Sequence, residues 1–222
     1  MTIEPKKPDE VDYQTPPLLS HRFRGYLPVV IDIETGGFNA KTDAILELGA
    51  CFISTDETLI STGETVTYPI LPFTGAHIDP ASLAFTGIDV NDPNRDAISE
   101  HDALKDLFSR IRSHMHKQQC KRAILVAHNA HFDQQFLQAA IERSAIKRDP
   151  FHPFSVIDTC SLSALAYGHT VLAKACQRAN LTFDNKQAHR ADYDALMTAK
   201  LFCTIVNQWQ KTQSSSPGCA YP

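Results

Sequence analysis

The sequence lacks the features of a membrane protein, a secreted protein or a strongly basic protein. It contains no run of about 18 apolar residues, the length that a membrane-spanning helix requires. Its first ten residues, MTIEPKKPDE, are too polar for the core of a signal peptide. The net charge is -4, so the field of the whole chain does not attract a polyanion. We therefore expect a cytoplasmic protein without a membrane partner, in which any contact with nucleic acid is local.

The cysteines are few and lack the spacing of a metal site. The chain has 6 of them, without a CxxC pair and without a close group of cysteine and histidine. A GxxxxGK[ST] phosphate-binding loop is also absent from the sequence. We expect reduced, mostly buried thiols, and we expect neither a structural zinc site nor a P-loop nucleotidase.

The length and the composition of the ends predict one domain between two tails. A chain of 222 residues fits a single hydrophobic core. Residues 1–20 contain several prolines and charges, and residues 211–222 are mostly small or polar, so neither segment shows a periodic apolar pattern. We predict disordered tails at 1–20 and 211–222, around one folded domain at 21–210.

Between the tails, the apolar pattern predicts an α/β fold. Short β-branched runs predict strands, and apolar residues at helical spacing predict helices. The first three strands follow one another directly, which indicates an antiparallel meander. The predicted order is βββαβαβα, with an additional short helix at 80–85 that follows the third strand, and this order is typical of a mixed sheet flanked by helices. The predicted strands are 28–34, 44–54, 58–68, 123–127 and 154–157, and the predicted helices are 80–85, one starting after Ser99, 132–146, 159–167, 171–179 and 191–210.

Two carboxylates on the first strand suggest a metal site. Asp32 and Glu34 are separated by one residue, so the alternation of a strand points both side chains to the same face. Two carboxylates in an otherwise apolar strand are costly to bury unless a cation neutralises them. Oxygen ligands of this kind suit Mg²⁺ or Mn²⁺. The alternative is a strand whose charged end meets solvent.

Three further residues add to this acidic pattern. Asp133 follows the strand at 123–127, where a helix begins. His189 and Asp194 stand on either side of the start of the last helix. Each is weak evidence alone, because an aspartate early in a helix is often a cap or a partner of the helix dipole.

Taken together, the DIET, HNAHFD and H-x4-D segments resemble the histidine-containing branch of the DEDD exonuclease superfamily. The resemblance runs from about Arg22 to Trp209 and includes the segments LAFTGIDVNDP, KRDPFHPF and FDNKQAHRADYD. It implies a ribonuclease H-like fold with two Mg²⁺ ions in the active site, which Mn²⁺ can replace. The implied metal-site and catalytic residues are Asp32, Glu34, Asp133, Asp194 and His189, with His189 as the base.

The same resemblance implies an activity and an assembly. It implies a 3′-to-5′ exoribonuclease that trims the 3′ ends of tRNA and other stable RNAs and releases nucleoside 5′-monophosphates. Action on single-stranded DNA and a homodimer are implied as well. Two other aspartates are expected to play no part in the chemistry: Asp192 breaks the H-x4-D spacing, and Asp158 is better explained as a helix start.

Phenylalanines and basic residues are candidates for holding the nucleic acid. A phenylalanine is a core residue by default, and a small basic cluster is usually a solvated surface. The resemblance instead implies an aromatic groove for the terminal nucleotides, and a basic patch that serves the metal site across a homodimer. Ala81 stands where the matching family segment has a glutamate, so base preference is not carried over. The candidates are Phe38, Phe85, Phe132 and Phe154 for stacking, and Arg22, Arg24, Arg122 and Lys147 for phosphates.

Three alternatives remain at this point. A phosphatase with an aspartate nucleophile has the motif DxDxT, but Glu34 occupies its second aspartate position. A catalytically silent RNA-binding scaffold has no chemical reason to retain all five residues. A proofreading exonuclease attached to a DNA polymerase has the same five residues, so the site alone does not exclude it.

Overall fold

The computed structural model describes residues 19–55 and 59–214, and its centre is a mixed five-stranded sheet. The strand order is β3-β2-β1-β4-β5. The first three strands are antiparallel neighbours, while β4 runs parallel to both β1 and β5. This confirms the predicted meander and the mixed sheet. The bounds are β1 Tyr26–Thr35, β2 Ile45–Thr55, β3 Ile60–Pro69, β4 Arg122–Ala127 and β5 Phe151–Asp158.

Helices flank this sheet, as the pattern predicted. The long helix α6 packs across β1, β2 and β3, and α3 packs on β1, β4 and β5. In the described part of the chain, no helix combines the length and apolarity needed to cross a bilayer. The bounds are α1 Pro80–Thr86, α2 Glu100–Lys117, α3 Ala130–Arg143, α4 Thr159–Tyr167, α5 Leu172–Arg178 and α6 Ala191–Ser214, with short 3-10 helices at Leu19–His21, Phe23–Gly25 and Pro93–Arg95.

The core lies on both faces of β1. Val29, Val30 and Ile31 have no solvent exposure, although successive strand residues point to opposite faces. Both faces of this strand are therefore covered. Burying each such aliphatic side chain contributes roughly 1.5–3 kcal/mol, so β1 is a rigid base for the polar residues at its end.

The structure moves several predicted boundaries. The tail predictions fall mainly outside the described residues, but Leu19 and Ser20 belong to a 3-10 helix and α6 continues to Ser214. The fifth strand begins at Phe151 instead of 154. It is an edge strand whose pairing register shifts between Ala123 and Leu125, a setting that tolerates the internal proline at 153.

Candidate active site

The C-terminal end of β1 carries the first two carboxylates. Glu34 is only 9% exposed, whereas Asp32 keeps partial exposure. Across the antiparallel ladder, Asp32 pairs with Gly49 and Glu34 pairs with Glu47 on β2. The buried position of Glu34 contradicts the alternative in which the strand end simply meets solvent.

The start of α3 brings Asp133 to this strand. Asp133 is buried, and its Oδ1 accepts a hydrogen bond of 3.0 Å from the Ile33 backbone N–H, between the two carboxylates of β1. Asp158 fixes the residue before α3, because its carboxylate accepts a hydrogen bond of 2.9 Å from the Asn129 N–H. The same carboxylate also caps α4. The expected structural role of Asp158 is therefore confirmed.

The start of α6 and the loop before it supply the last two residues. His189 has a left-handed backbone with φ 66°, and its N–H donates to Asp194 Oδ2 at 2.9 Å. One ligand atom from each of Glu34, His189 and Asp194 lies within 4.8 Å of the others. Asp192 instead forms an ion pair with Arg190 at 2.9 Å. Asp194 and Asp192 therefore have different partners, and Asp194 is the one near Glu34 and His189.

Burial and mutual repulsion raise the pKa values of these carboxyl groups. Burial, with repulsion from Asp194 and Glu47, raises the pKa of Glu34 to about 7. Burial raises the pKa of Asp32 well above its usual range, and repulsion from Asp133 and Glu34 adds to this. The pKa values of Asp133 and Asp194 are also raised, in both cases mainly by burial. A bound cation would relieve this strain between like charges.

The donor set fits a divalent metal ion. Asp194 Oδ1 is buried and has no hydrogen-bond partner among the residues that the structure describes. A buried carboxylate oxygen without a partner is unfavourable, and a cation would satisfy it. Carboxylate oxygens with one imidazole suit a hard divalent cation. Asp32 and Asp133 lie beside the group formed by Glu34, His189 and Asp194 and carry further oxygen atoms.

An aromatic cleft of about 580 Å³ opens next to the carboxylates. Glu34, Phe38, Phe85, Phe132 and Ala81 are among its lining residues. Phe38 is 86% exposed and Phe85 is 66% exposed, so neither is a core residue. Phe132 packs against the core through Phe136, with ring centroids 4.9 Å apart. The cleft therefore contains two exposed aromatic rings, Phe38 and Phe85, and a third, Phe132, that packs against the core.

One contact in this cleft was not foreseen from the sequence. The rings of Phe85 and His189 lie with their centroids 4.1 Å apart, at an angle of 47°. The two residues are far apart in the chain and belong to different elements, so no local pattern relates them. Phe85 thus covers the imidazole from the α1 side.

Phe154 is placed differently from the other three phenylalanines. It is 88% exposed on β5, next to His152, and does not belong to the lining of the aromatic cleft. Its role in substrate binding stays a prediction.

The basic candidates lie near the opposite edge of the sheet. Arg122 pairs with Tyr26 at the N-terminal ends of β4 and β1, and the Arg24 guanidinium lies 5.3 Å from the centre of the Tyr26 ring. Arg22 donates to Gln210 at 2.7 Å. Lys147 is exposed in the loop before β5. From Tyr26 to Asp32 the chain advances roughly 20 Å at about 3.3 Å per residue, so the patch and the carboxylates are well separated.

Sequence reasoning also missed Glu47. It is a half-buried carboxylate opposite Glu34, and its Oε2 accepts a hydrogen bond of 3.1 Å from the Ala191 N–H. The sequence feature that could have indicated Glu47 is its position as a single charged residue within the apolar strand ILELGACF. Its partner is 144 residues away in the chain, which no local pattern indicates.

Known proteins resemble this chain over most of its length. A family model described as exonuclease, RNase_T, matches residues 29–202. Ribonuclease T of Hahella chejuensis is 57% identical over 194 residues, covering 87% of this chain and 89% of the relative. Ribonuclease T of Yersinia enterocolitica is 54% identical over 194 residues, covering 87% of this chain and 90% of the relative.

Solved exonuclease structures share the fold at low sequence identity. Exonuclease I of E. coli with a dT13 oligonucleotide superposes with a TM-score of 0.64 at 16% identity, covering 86% of this chain but only 43% of Exonuclease I. Cell-death related nuclease 4 gives a TM-score of 0.62 at 14% identity, covering 82% of this chain and 64% of that one. The ribonuclease H-like fold is confirmed.

These matches decide between the alternatives for the enzyme class. They support a hydrolytic exonuclease and give no support to a phosphatase or to a silent scaffold. The family model and the ribonuclease T relatives each cover most of the chain. The chain therefore belongs to the ribonuclease T family of 3′-to-5′ exonucleases.

Proposed function

We propose that this protein is a Mg²⁺-dependent exoribonuclease that trims the 3′ ends of tRNA and other stable RNAs and releases nucleoside 5′-monophosphates. The observation that carries the proposal is the convergence of Glu34, His189 and Asp194 at the end of a cleft with exposed aromatic faces. A free 3′ end can enter such a cleft, whereas a base-paired strand has no unstacked bases to offer.

The five polar residues have distinct roles in this proposal. Asp32, Glu34, Asp133 and Asp194 would hold the cations, and His189 would accept the proton of the attacking water. When bound, two divalent cations would lower the pKa of water and stabilise the charge on the leaving oxygen. The Asp194 carboxylate also fixes the backbone of His189, and Phe85 shields its ring. The imidazole is therefore oriented before the substrate arrives.

The aromatic cleft supports single-stranded substrates of either sugar type. Phe38 and Phe85 would stack on the terminal bases, and stacking depends little on base identity. Ala81 also lines the cleft, and its methyl side chain cannot hydrogen-bond a base edge. We therefore expect weak selectivity among terminal bases. Since Exonuclease I was solved with a DNA oligonucleotide, we also propose action on single-stranded DNA.

The position of the basic residues supports a homodimer. Arg24, Arg122 and Lys147 lie near the sheet edge opposite the carboxylates. A terminal nucleotide bound in the cleft is then far from these residues of the same chain. A second copy could place its own patch, with Phe154 beside it, against the RNA leaving the first cleft. We place this dimer in the cytoplasm.

A digestion experiment tests the proposed function. A 5′-labelled RNA of about 20 nucleotides is incubated with the protein in Mg²⁺, in Mn²⁺ and in excess EDTA, with its 3′ hydroxyl free or phosphorylated. We expect stepwise shortening only with metal and a free 3′ end. Shortening in EDTA would contradict the metal mechanism, and cleavage of the blocked RNA would contradict the exonucleolytic direction.

The substrate class is tested in the same assay. A tRNA with a few additional 3′ nucleotides is compared with the mature tRNA and with a DNA strand of the same terminal sequence. We expect the extended tRNA to be trimmed to a discrete product. Degradation of both tRNAs at equal rates and without an end point would contradict a trimming role.

A further inference from the structure

The start of α6 and the loop before it carry two of the site residues, and the start of α6 rests on β2. Glu47 and Gly49 are two residues apart on that strand, so they face the same side. Their partners across the ladder are Glu34 and Asp32. The part of β2 that touches α6 is thus directly linked to the strand that carries the first two carboxylates.

The Glu47 carboxylate holds the first residue of α6. Its Oε2 accepts from the Ala191 N–H at 3.1 Å. The first N–H groups of a helix have no partner within the helix, and a negative charge there also suits the helix dipole. Ala191 is fully buried, so water does not replace this acceptor.

Gly49 allows the backbones to approach at the same point. A Cβ atom at position 49 would overlap the carbonyl group of Ala191 and come within 2.9 Å of the Asp192 nitrogen. Both of these are main-chain groups, which cannot swing aside as the end of a flexible side chain can. Any side chain at position 49 would therefore displace the start of α6 from β2.

We infer that Glu47 and Gly49 are positioning residues that set the distance between Glu34 on β1 and the His189–Asp194 pair at the start of α6. The inference rests on the proposed function, whose chemistry needs these groups together. Glu47 adds a negative charge to an acidic cluster, which is unfavourable in itself.

Matched substitutions test the inference. Glu47→Ala removes the acceptor, whereas Glu47→Gln keeps an oxygen that can accept from the Ala191 N–H. Gly49→Ala displaces the helix while leaving Glu47 intact. Glu64→Ala is the control, since Glu64 lies on β3 in an exposed ion pair with Arg110. All four are compared with the wild type in kcat, KM, Mn²⁺ affinity without RNA, thermal unfolding and hydrogen exchange of the Ala191 amide.

We expect a specific pattern of loss. Glu47→Ala and Gly49→Ala should lower kcat by about 100-fold, the effect of a misplacement of about 1 Å, with little change in KM. Both should weaken Mn²⁺ binding and speed exchange at Ala191. Glu47→Gln should restore kcat to within about 3-fold of the wild type, and Glu64→Ala should match the wild type throughout.

Other results would overturn the inference. Wild-type kcat and unchanged amide exchange in Glu47→Ala would do so, as would equal losses in Glu47→Ala and Glu47→Gln. If Gly49→Ala does not fold, the comparison of Glu47→Ala with Glu47→Gln still tests the positioning role. If the wild type itself shows no metal-dependent shortening of RNA, the proposed function fails, while the exchange and Mn²⁺ measurements still decide the positioning role.

Discussion

The two edges of the sheet differ in charge and in how their charged groups are held. At the C-terminal end of β1, several carboxylates lie close together, and burial with repulsion from Asp194 and Glu47 raises the pKa of Glu34 to about 7. Near the N-terminal ends of β1 and β4, Arg24 stays exposed over an aromatic ring and Arg122 donates to the Phe151 carbonyl. In the proposed function, the first edge would hold cations and the second would contact phosphates.

In the proposed function, this difference would reconcile a net charge of -4 with a polyanionic substrate. The overall charge averages over two regions of opposite sign on one sheet. Local fields near each region, and not the overall charge, govern what binds there, because salt screens charges beyond about 10 Å. The following predictions each separate the two edges.

Removing a charge from the acidic edge, the group of carboxylates at the C-terminal end of β1, should lower activity more than any other change proposed here. Asp194→Asn keeps an oxygen that can accept from the His189 N–H but removes the negative charge, so we expect activity to fall on the order of 1,000-fold. Asp192→Asn is the matched control, since its exposed ion pair contributes only about 0–1 kcal/mol. The measurement is kcat/KM on a short RNA. Similar losses in both variants would contradict the assignment of Asp194.

Truncating the exposed aromatic side chains of the cleft should have an intermediate effect. Phe38→Ala and Phe85→Ala should each raise KM on every sequence by an amount equivalent to about 1–3 kcal/mol, the usual contribution of one base stack. Phe154→Ala, outside the cleft, should change KM less on RNAs of two or three nucleotides. If the two cleft variants lost thermal stability but kept the wild-type KM, the stacking role would be wrong.

The metal-free protein should lose stability as the pH rises through the range in which the Glu34 carboxyl group loses its proton. The folded-state pKa of Glu34 is about 7, above its ordinary value of 4.5. The folded state therefore binds more protons between these values, and its stability decreases from about pH 5 to pH 8, by on the order of 3 kcal/mol at most. Glu34→Gln should flatten this dependence, and Mn²⁺ should oppose it. Thermal unfolding in EDTA measures the effect, and greater stability at pH 8 than at pH 5 would contradict it.

Substitutions in the basic edge, the group of basic residues near the N-terminal ends of β1 and β4, should have the smallest effect on activity. Arg24→Ala combined with Lys147→Ala should weaken RNA binding and reduce the slope of log K against log salt by about 0.7 for each lost phosphate contact. The rate at saturating RNA should be unchanged. Lys105→Ala, on the exposed side of α2, is the control. A slope equal to that of the wild type would assign these residues to solvated surface.

The sequence predicted those features that local patterns determine. Strand alternation placed Asp32 and Glu34 on one face, and the capping residue Ser99 marked the start of α2, where its hydroxyl accepts from the Asp102 N–H. The H-x4-D spacing selected Asp194 over Asp192. The two carboxylates have different partners in the structure, and the catalytic role of Asp194 stays a prediction. Each of these signals spans only a few residues.

The unpredicted features depend on contacts between distant parts of the chain. Glu47 reaches Ala191 across 144 positions, and Phe85 meets His189 only because α1 and the loop before α6 flank the same cleft. Strand and helix ends also shifted, because pairing at an edge strand and the last turns of α6 are set by tertiary packing. Periodicity gives no information on such contacts.

The helix α1 has a consequence for how this enzyme can change. It carries Ala81 and Phe85 into the cleft, yet none of its residues is buried. Its ends are fixed by the Asp79 cap and by Gly87 in a left-handed conformation, so its shape does not depend on the side chains between them. Substitutions at Ala81 or Ser82 should therefore alter which 3′ ends are preferred without loss of stability. Substrate choice can thus evolve on this helix while the core and the carboxylates stay constant.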